Sequence, residues 1–223
     1  MMGCVFPACA DNFVFSLKGG VPITDYFQTG VDSAFGHGWY QYSSAPRRYT
    51  VGLSGEWRMA NAFGIEIGVL YKRIGYNLDG TYAYEAINST THYSVKGHSW
   101  DFPILIKYQP PKSKGLFASG GYSVRHVGPI RARGTRSDIL YTPTIHTVVT
   151  GIDKGNIDGL PGTFSGPTIG AGIELGKGRM RISPELRYTF WIDNSTGNSG
   201  LHLNNQLDFL IGLVFLPGKR KIM

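Results

Sequence analysis

Along most of the chain, apolar and polar residues alternate with a period of two, the pattern of a strand whose successive side chains point to opposite faces. Phe13, Phe15 and Leu17, then Val21 and Ile23, alternate with Val14, Ser16, Lys18 and Gly20. A second series, Tyr49 to Trp57, opposes Thr50, Gly52, Ser54, Glu56 and Arg58. A third, Phe63 to Tyr71, opposes Gly64, Glu66, Gly68, Leu70 and Lys72, and a fourth, Trp100 to Tyr108, opposes Ser99, Asp101, Pro103, Leu105 and Lys107. The fifth, Leu116 to Val124, is weaker and runs against Phe117, Ser119, Gly121, Ser123 and Arg125. Ile169 to Leu175, Met180 to Phe190 and Leu207 to Phe215 complete the set, with Glu174, Arg181, Glu185, Arg187 and Asp208 among their polar positions.

These series predict eight antiparallel strands of about 9 to 12 residues, the length a tilted strand needs to cross a bilayer. The connections reinforce this. Met59 to Ala62, Pro110 to Lys114 and Lys177-Gly178 are short, whereas Thr24 to Arg48, Arg73 to His98, Gly128 to Ser165 and Asp193 to Asn205 are long. Alternating short and long connections mark an up-and-down membrane barrel with short periplasmic turns and long outer loops. The expected fold is therefore all-β, an eight-stranded antiparallel up-and-down transmembrane β-barrel with both termini on the periplasmic side.

A soluble barrel hides its apolar face inside and a membrane barrel turns it outward, so the polar face has to decide. It carries Lys18, Glu56, Arg58, Glu66, Lys72, Asp101, Lys107, Arg125, Glu174, Arg181, Glu185, Arg187 and Asp208, mixed with Gly and Ser. Bases and acids in near balance suit a narrow interior in which ions pair and small residues leave room for long ones. The apolar series place Trp57, Tyr71, Trp100, Tyr108, Tyr188 and Phe215 near strand ends. Amphipathic rings gather at membrane–water interfaces, which favours the membrane barrel over a soluble lipocalin-like barrel or sandwich.

Composition narrows the classes further. The chain has 223 residues with 31 Gly, 13 Tyr and 12 Phe, only 17% charged residues and a mean hydropathy of -0.11. No apolar run approaches the roughly 18 residues of a membrane helix, and this density of glycine disfavours long helices of any kind. The formal charge of +7 concentrates at the short-turn end, in Lys112, Lys114, Lys177, Arg179 and the tail Lys219 to Lys221. Bases distributed over turns suit an anionic leaflet better than nucleic acid, for which a long basic patch interleaved with aromatics would be needed. Residues 1–12, with Ala8-Cys9-Ala10 before Asp11, read as the remainder of a leader, 13–216 as the barrel and 217–223 as a basic periplasmic tail.

Motifs with chemistry are few. His98-Ser99 at the entry to the fourth strand, with Glu66 or Glu85 as an orienting acid, is the only candidate hydrolytic arrangement. Glu174 and Glu185 could face one another for acid–base work, but Arg181 and Arg187 beside them favour ion pairs. Gly170-Ala171-Gly172-Ile173-Glu174-Leu175-Gly176 misplaces the last glycine of a dinucleotide fingerprint and no helix follows it. Cys4 and Cys9 lack metal-ligand spacing. Asn88-Ser89-Thr90 and Asn194-Ser195-Thr196 read as polar loop tips. No catalytic residue, metal site or cofactor is expected.

The opening Phe15-Ser16-Leu17-Lys18-Gly19-Gly20, the strand Trp100-Asp101-Phe102-Pro103-Ile104-Leu105-Ile106-Lys107-Tyr108, the strand Pro184-Glu185-Leu186-Arg187-Tyr188 and the last strand ending at Phe215 resemble the bacterial outer-membrane β-barrel domain family, similar to small barrels of the OmpA/OmpX type and the porT-like group. The resemblance spans about residues 13 to 215. It implies a place in the outer membrane, contact with its lipids, and a terminal aromatic, Phe215, read by the barrel-assembly machinery, although Leu216 to Met223 extend past it. An eight-stranded interior that salt-bridged side chains can nearly fill favours a structural or interaction role. The alternatives are a small pore or ligand channel, and an outer-membrane enzyme that modifies lipid A.

Overall fold

The structure is a computed structural model that describes residues 12–24, 31–32, 38–44, 48–59, 62–84, 87–141, 146–156, 162–192 and 205–216. The expected leader up to Asp11 and the basic tail from Pro217 lie outside the described residues, as do Glu85 and the sequon at Asn194.

Within those bounds the chain forms β1 (Phe13–Pro22), β2 (Val31–Asp32), β3 (Gly38–Ser44), β4 (Thr50–Arg58), β5 (Phe63–Tyr84), β6 (Ile87–Tyr108), β7 (Leu116–Val127), β8 (Arg131–Tyr141), β9 (His146–Asn156), β10 (Thr163–Ile173), β11 (Met180–Thr189) and β12 (Gln206–Phe215). All pair antiparallel in one sheet. The expectation of eight strands is thus corrected to twelve among the described residues. The additional strands come from segments expected to be loops: β2 and β3 from Thr24 to Arg48, and β8 and β9 from Gly128 to Ser165. The segment Arg73 to His98 is no loop either, because β5 and β6 run on through it as a hairpin of 22 residues per strand. At about 3.4 Å per residue each arm is about 75 Å long, far more than a bilayer needs.

Eight of the strands pair in a cycle. β1 joins β4 and β12, β4 joins β5, β5 joins β6, β6 joins β7, β7 joins β10, β10 joins β11, and β11 returns to β12. β3 attaches to the far half of β5, and β8 to the far half of β6, with β2 and β9 at their outer sides. The sheet therefore has a closed lower part and a fan of strands above it.

Short connections turn the chain at the lower end. Met59 N–H donates to the Phe63 carbonyl at 2.8 Å, and Ser113 N–H donates to the Pro110 carbonyl at 3.0 Å. Lys114 and Gly115 at φ 51° and 98°, and Gly178 at φ 87°, supply the left-handed backbone these turns require. Both ends of the cycle's seam, Phe15 and Phe215, meet at this lower end as register partners.

Side chains alternate in the sense expected of a membrane barrel. Outward residues are exposed and apolar, with Leu53 at 64%, Phe15 at 62% and Ile106 at 59%. Inward charges are buried, with Arg125 at 1% and Arg187 at 2%. Soluble monomers rarely expose a continuous apolar band, and such a surface marks a partner or a membrane.

Above the cycle the polarity inverts. On β5 the odd positions Ile65, Ile67, Val69 and Tyr71 are the apolar ones, but beyond Lys72 the even positions Ile74, Tyr76 and Leu78 take over. Ile74, Tyr76, Val95 and Ile130 are buried together, with Leu78, Tyr93, Val127 and Ala132 packed against them. This is a small water-soluble type of core on the face that continues the lumen side. The outward side of the same strands becomes polar with Arg73, Asn77 and Asp79. The crossover between the two patterns falls between Tyr71 and Ile74.

Candidate functional site

Every charged side chain expected on the polar face lies on the lumen side, gathered into three tiers of ion pairs. In the lowest tier Lys107 Nζ donates to Glu56 Oε2 at 2.9 Å and to Glu174 Oε1 at 2.7 Å. Arg58 Nε donates to Glu56 Oε1 at 2.8 Å and its Nη2 to Glu174 Oε1 at 2.7 Å. Arg181, more exposed than the others, reaches Glu174 Oε2 at 3.4 Å.

The middle tier is a four-membered set. Lys18 Nζ donates to Glu66 Oε1 at 2.5 Å and to Glu185 Oε2 at 2.9 Å. Arg187 Nη2 donates to Glu66 Oε1 at 2.9 Å and to Glu185 Oε1 at 2.7 Å, and Arg187 Nε adds a bond to Glu185 at 3.0 Å. In the upper tier Lys72 Nζ meets Asp208 Oδ2 at 2.5 Å and Asp101 Oδ2 at 3.1 Å. Arg125 grips Asp101 with two parallel bonds of 2.6 and 2.7 Å, donates to Gln206 and lies 4.1 Å from the centre of the Trp191 ring.

The strand positions of these partners give the tiers their geometry. β5 and β11 stand four places apart in the cycle of eight, so the Arg187–Glu66 bond spans the diameter. Arg58 on β4 and Glu174, just past the end of β10, make a second diametric bond. Small residues make room: a Cβ on Gly172 would fall 2.5 Å from the Phe117 ring, over which Lys107 sits at 4.0 Å. Hydroxyl ladders fill the spaces between charges, with Ser16 to Ser54 at 2.6 Å and Ser123 to Thr168 to Thr189 at 2.7 and 3.1 Å. A buried pair gains little net stability but costs several kcal/mol when one partner is removed.

A cavity of about 230 Å³ opens at the lower end among Glu56, Arg58, Ala62, Gly64, Lys107 and Gln109. A separate cavity among Lys18, Glu66, Lys107, Phe117 and Glu185 measures about 10 Å³, room for about one water at most.

The expected interface aromatics form two groups on the outward face. At the upper end Tyr71 lies 5.2 Å from Trp100 and 6.2 Å from Tyr49, and His98 stacks on Tyr71 at 5.8 Å. Tyr188 packs edge-on against Phe190 at 4.6 Å. At the lower end Phe63 lies 4.9 Å from Tyr108, Trp57 is the register partner of Phe13, and Phe215 is exposed beside the seam. Eight residues separate Phe63 from Tyr71, about 27 Å along the strand and about 20 Å of height at a tilt of about 40°.

The hydrolytic arrangement does not assemble. His98 and Ser99 are adjacent on β6 and therefore point to opposite faces: Ser99 is buried on the lumen side, and His98 lies outside against Tyr71. Glu66 is held by Lys18 and Arg187 in the middle tier, and Glu85 lies outside the described residues. Glu174 and Glu185 belong to different tiers. Among the described residues no cluster of three or more His, Cys, Asp or Glu is arranged to hold a metal ion. The sequon at Asn88 is not a loop tip as expected: Asn88 is in β6, paired with Ala83, and Ser89 is buried against the Asp138 carboxyl of β8, which that hydrogen bond and Arg136 hold below the usual carboxylate range. Sequence reasoning missed Trp191 and Gln206, which close the upper tier. Their signal was weak, since both flank a long connection and neither belongs to an alternating series.

Three solved structures resemble the chain at low identity. The N-terminal β-barrel domain of Pseudomonas aeruginosa OprF is 11% identical over 92% of this chain and 97% of its own, with a TM-score of 0.32. The attachment invasion locus protein Ail of Yersinia pestis is 10% identical over 91% and 98%, with a TM-score of 0.35. Neisserial surface protein A is 10% identical over 92% and 96%, with a TM-score of 0.34. No curated protein matches the chain. The family described as outer membrane protein beta-barrel domain matches residues 9–197, most of the chain. This protein belongs to that family and resides in the bacterial outer membrane.

Proposed function

We propose that the eight-membered cycle is the transmembrane unit, that its lumen is closed, and that the protein serves a structural or interaction role rather than a catalytic or transport one. The observation that carries this reading is the pair of diametric bonds, Arg187 to Glu66 and Arg58 to Glu174, which cross the lumen at different depths. Eight strands enclose a bore that side chains can fill, and here each tier is crowded with paired ions. A conducting path would require several buried pairs to part together, each at a cost of several kcal/mol.

In this role the lipids of the outer membrane cover the apolar band, Phe215 at the end of β12 is the feature offered to the barrel-assembly machinery, and the fan of strands above the membrane carries the contact surface for outer partners. Solute release from vesicles tests the lumen directly. Folded protein in liposomes is expected to leave a trapped small dye inside, at the rate of protein-free vesicles. Rapid release proportional to the protein content would support a pore and overturn the closed lumen.

A further inference from the structure

Just beyond the upper aromatic group, the face of the sheet that continues the lipid-facing side turns basic. Arg73 on β5 and His98 on β6 are register partners. Lys96 on β6 is the partner of Arg131 on β8, and Arg133 lies opposite Ser94 two residues further on. The two-residue period puts all of these on the side that carries Tyr71 and Trp100 lower down. Lys96, Arg131 and Arg133 are exposed and Arg73 is half-buried. Among the described residues none of the four cations makes an ion pair: Asp79, on the same face and lining one cavity with Arg133, pairs with His92, and Asp138 pairs with Arg136 on the opposite face.

Depth identifies what these cations meet. Arg73 is two residues past Tyr71, and Lys96 pairs with Gly75, four residues past it, which is about 7 and 14 Å along the strand. With strands tilted by about 40°, that places Arg73 and Lys96 about 5 to 10 Å above the girdle, within the headgroup layer, with Arg131 level with Lys96 and Arg133 about 5 Å higher at its outer margin. A guanidinium holds phosphate by two parallel N–H bonds, and an ammonium serves as a point charge beside it. We propose that Arg73, Lys96, Arg131 and Arg133 form a site for the phosphate groups of an outer-leaflet glycolipid, with its acyl chains lying on the apolar band below. Continuity of this face with the lipid-facing side favours a membrane-borne ligand over a soluble polyanion. The site depends on the place of the barrel in the outer membrane and not on whether its lumen is closed, so vesicle release and lipid binding fail separately.

The test uses folded protein in zwitterionic nanodiscs, with three probes: lipid A carrying its phosphates, the same lipid A with the phosphates removed, and a soluble sulfated oligosaccharide. The phosphorylated lipid is expected to bind at least about tenfold more tightly than the dephosphorylated one. The variant combining Arg73→Gln, Lys96→Gln, Arg131→Gln and Arg133→Gln is expected to lose that preference while still migrating as a folded barrel. If that variant does not fold, the double variants R73Q/K96Q and R131Q/R133Q are read in its place, each losing part of the preference. Equal binding of the two lipids, or an undiminished preference in the folded variants, overturns the proposal. Tight binding of the soluble oligosaccharide without discrimination between the lipids also overturns it and assigns the face to a soluble polyanion.

Discussion

Glu56 and Glu66 are register partners on β4 and β5, both inward and both buried. Like charges placed so would repel if nothing intervened. Each turns instead to a different tier, Glu56 to Lys107 and Arg58, Glu66 to Lys18 and Arg187. Removing a cation therefore leaves a carboxylate buried with less compensation and nearer a like charge. Arg187→Leu should destabilise the barrel by about 3–5 kcal/mol, seen as a lower urea midpoint in lipid vesicles, and an unchanged midpoint would refute the pairing. Gly172 is sensitive for a different reason, because any side chain there meets the Phe117 ring and the Pro184 carbonyl at 2.5 Å. Gly172→Val should cost about 1–3 kcal/mol through overpacking, by the same measurement.

At the scale of elements, each arm of the β5–β6 hairpin serves two environments. Its lower half shows apolar side chains to lipid and charge to the lumen, and its upper half reverses this around Ile74, Tyr76, Val95 and Ile130. The upper fan should therefore unfold without the barrel. The double variant I74D/V95D is expected to expose the outer strands to added protease while the membrane-spanning fragments remain intact, and complete digestion would mean the two parts fold as one. The same inversion explains what the sequence made legible. Strands of the cycle were readable because one alternation phase held from end to end and the charges all fell on one face. The outer strands were not, since the apolar phase slips by one residue beyond Lys72, and a pattern whose phase changes within one strand resembles a loop. β10 was legible only in its upper-to-lower run from Ile169, because Gly166 and Pro167 interrupt the alternation at its start. Tiers of ion pairs could be expected from the list of inward charges, but which acid meets which base depends on strands far apart in sequence, such as Lys18 and Glu185.

For the whole molecule, the polarity of the two faces fixes how the barrel sits. Trp57 and Trp100 occupy opposite margins of the apolar band, whereas Trp191 is buried against Arg125 on the lumen side. Variants keeping only one of these tryptophans should differ accordingly. Lipids brominated near the headgroup should quench Trp57 and Trp100 and leave Trp191 bright, and strong quenching of Trp191 would place that residue in lipid. Closure of the cycle through β1 and β12 is what makes the rest possible, since it removes every free edge from the part of the sheet that lipid surrounds. The most direct measurement of that closure is the migration of the folded protein on a denaturing gel with and without boiling. The unboiled sample should run as a distinct band that converts to the unfolded position on heating, and a well-folded preparation that migrates identically in both lanes would contradict a closed barrel.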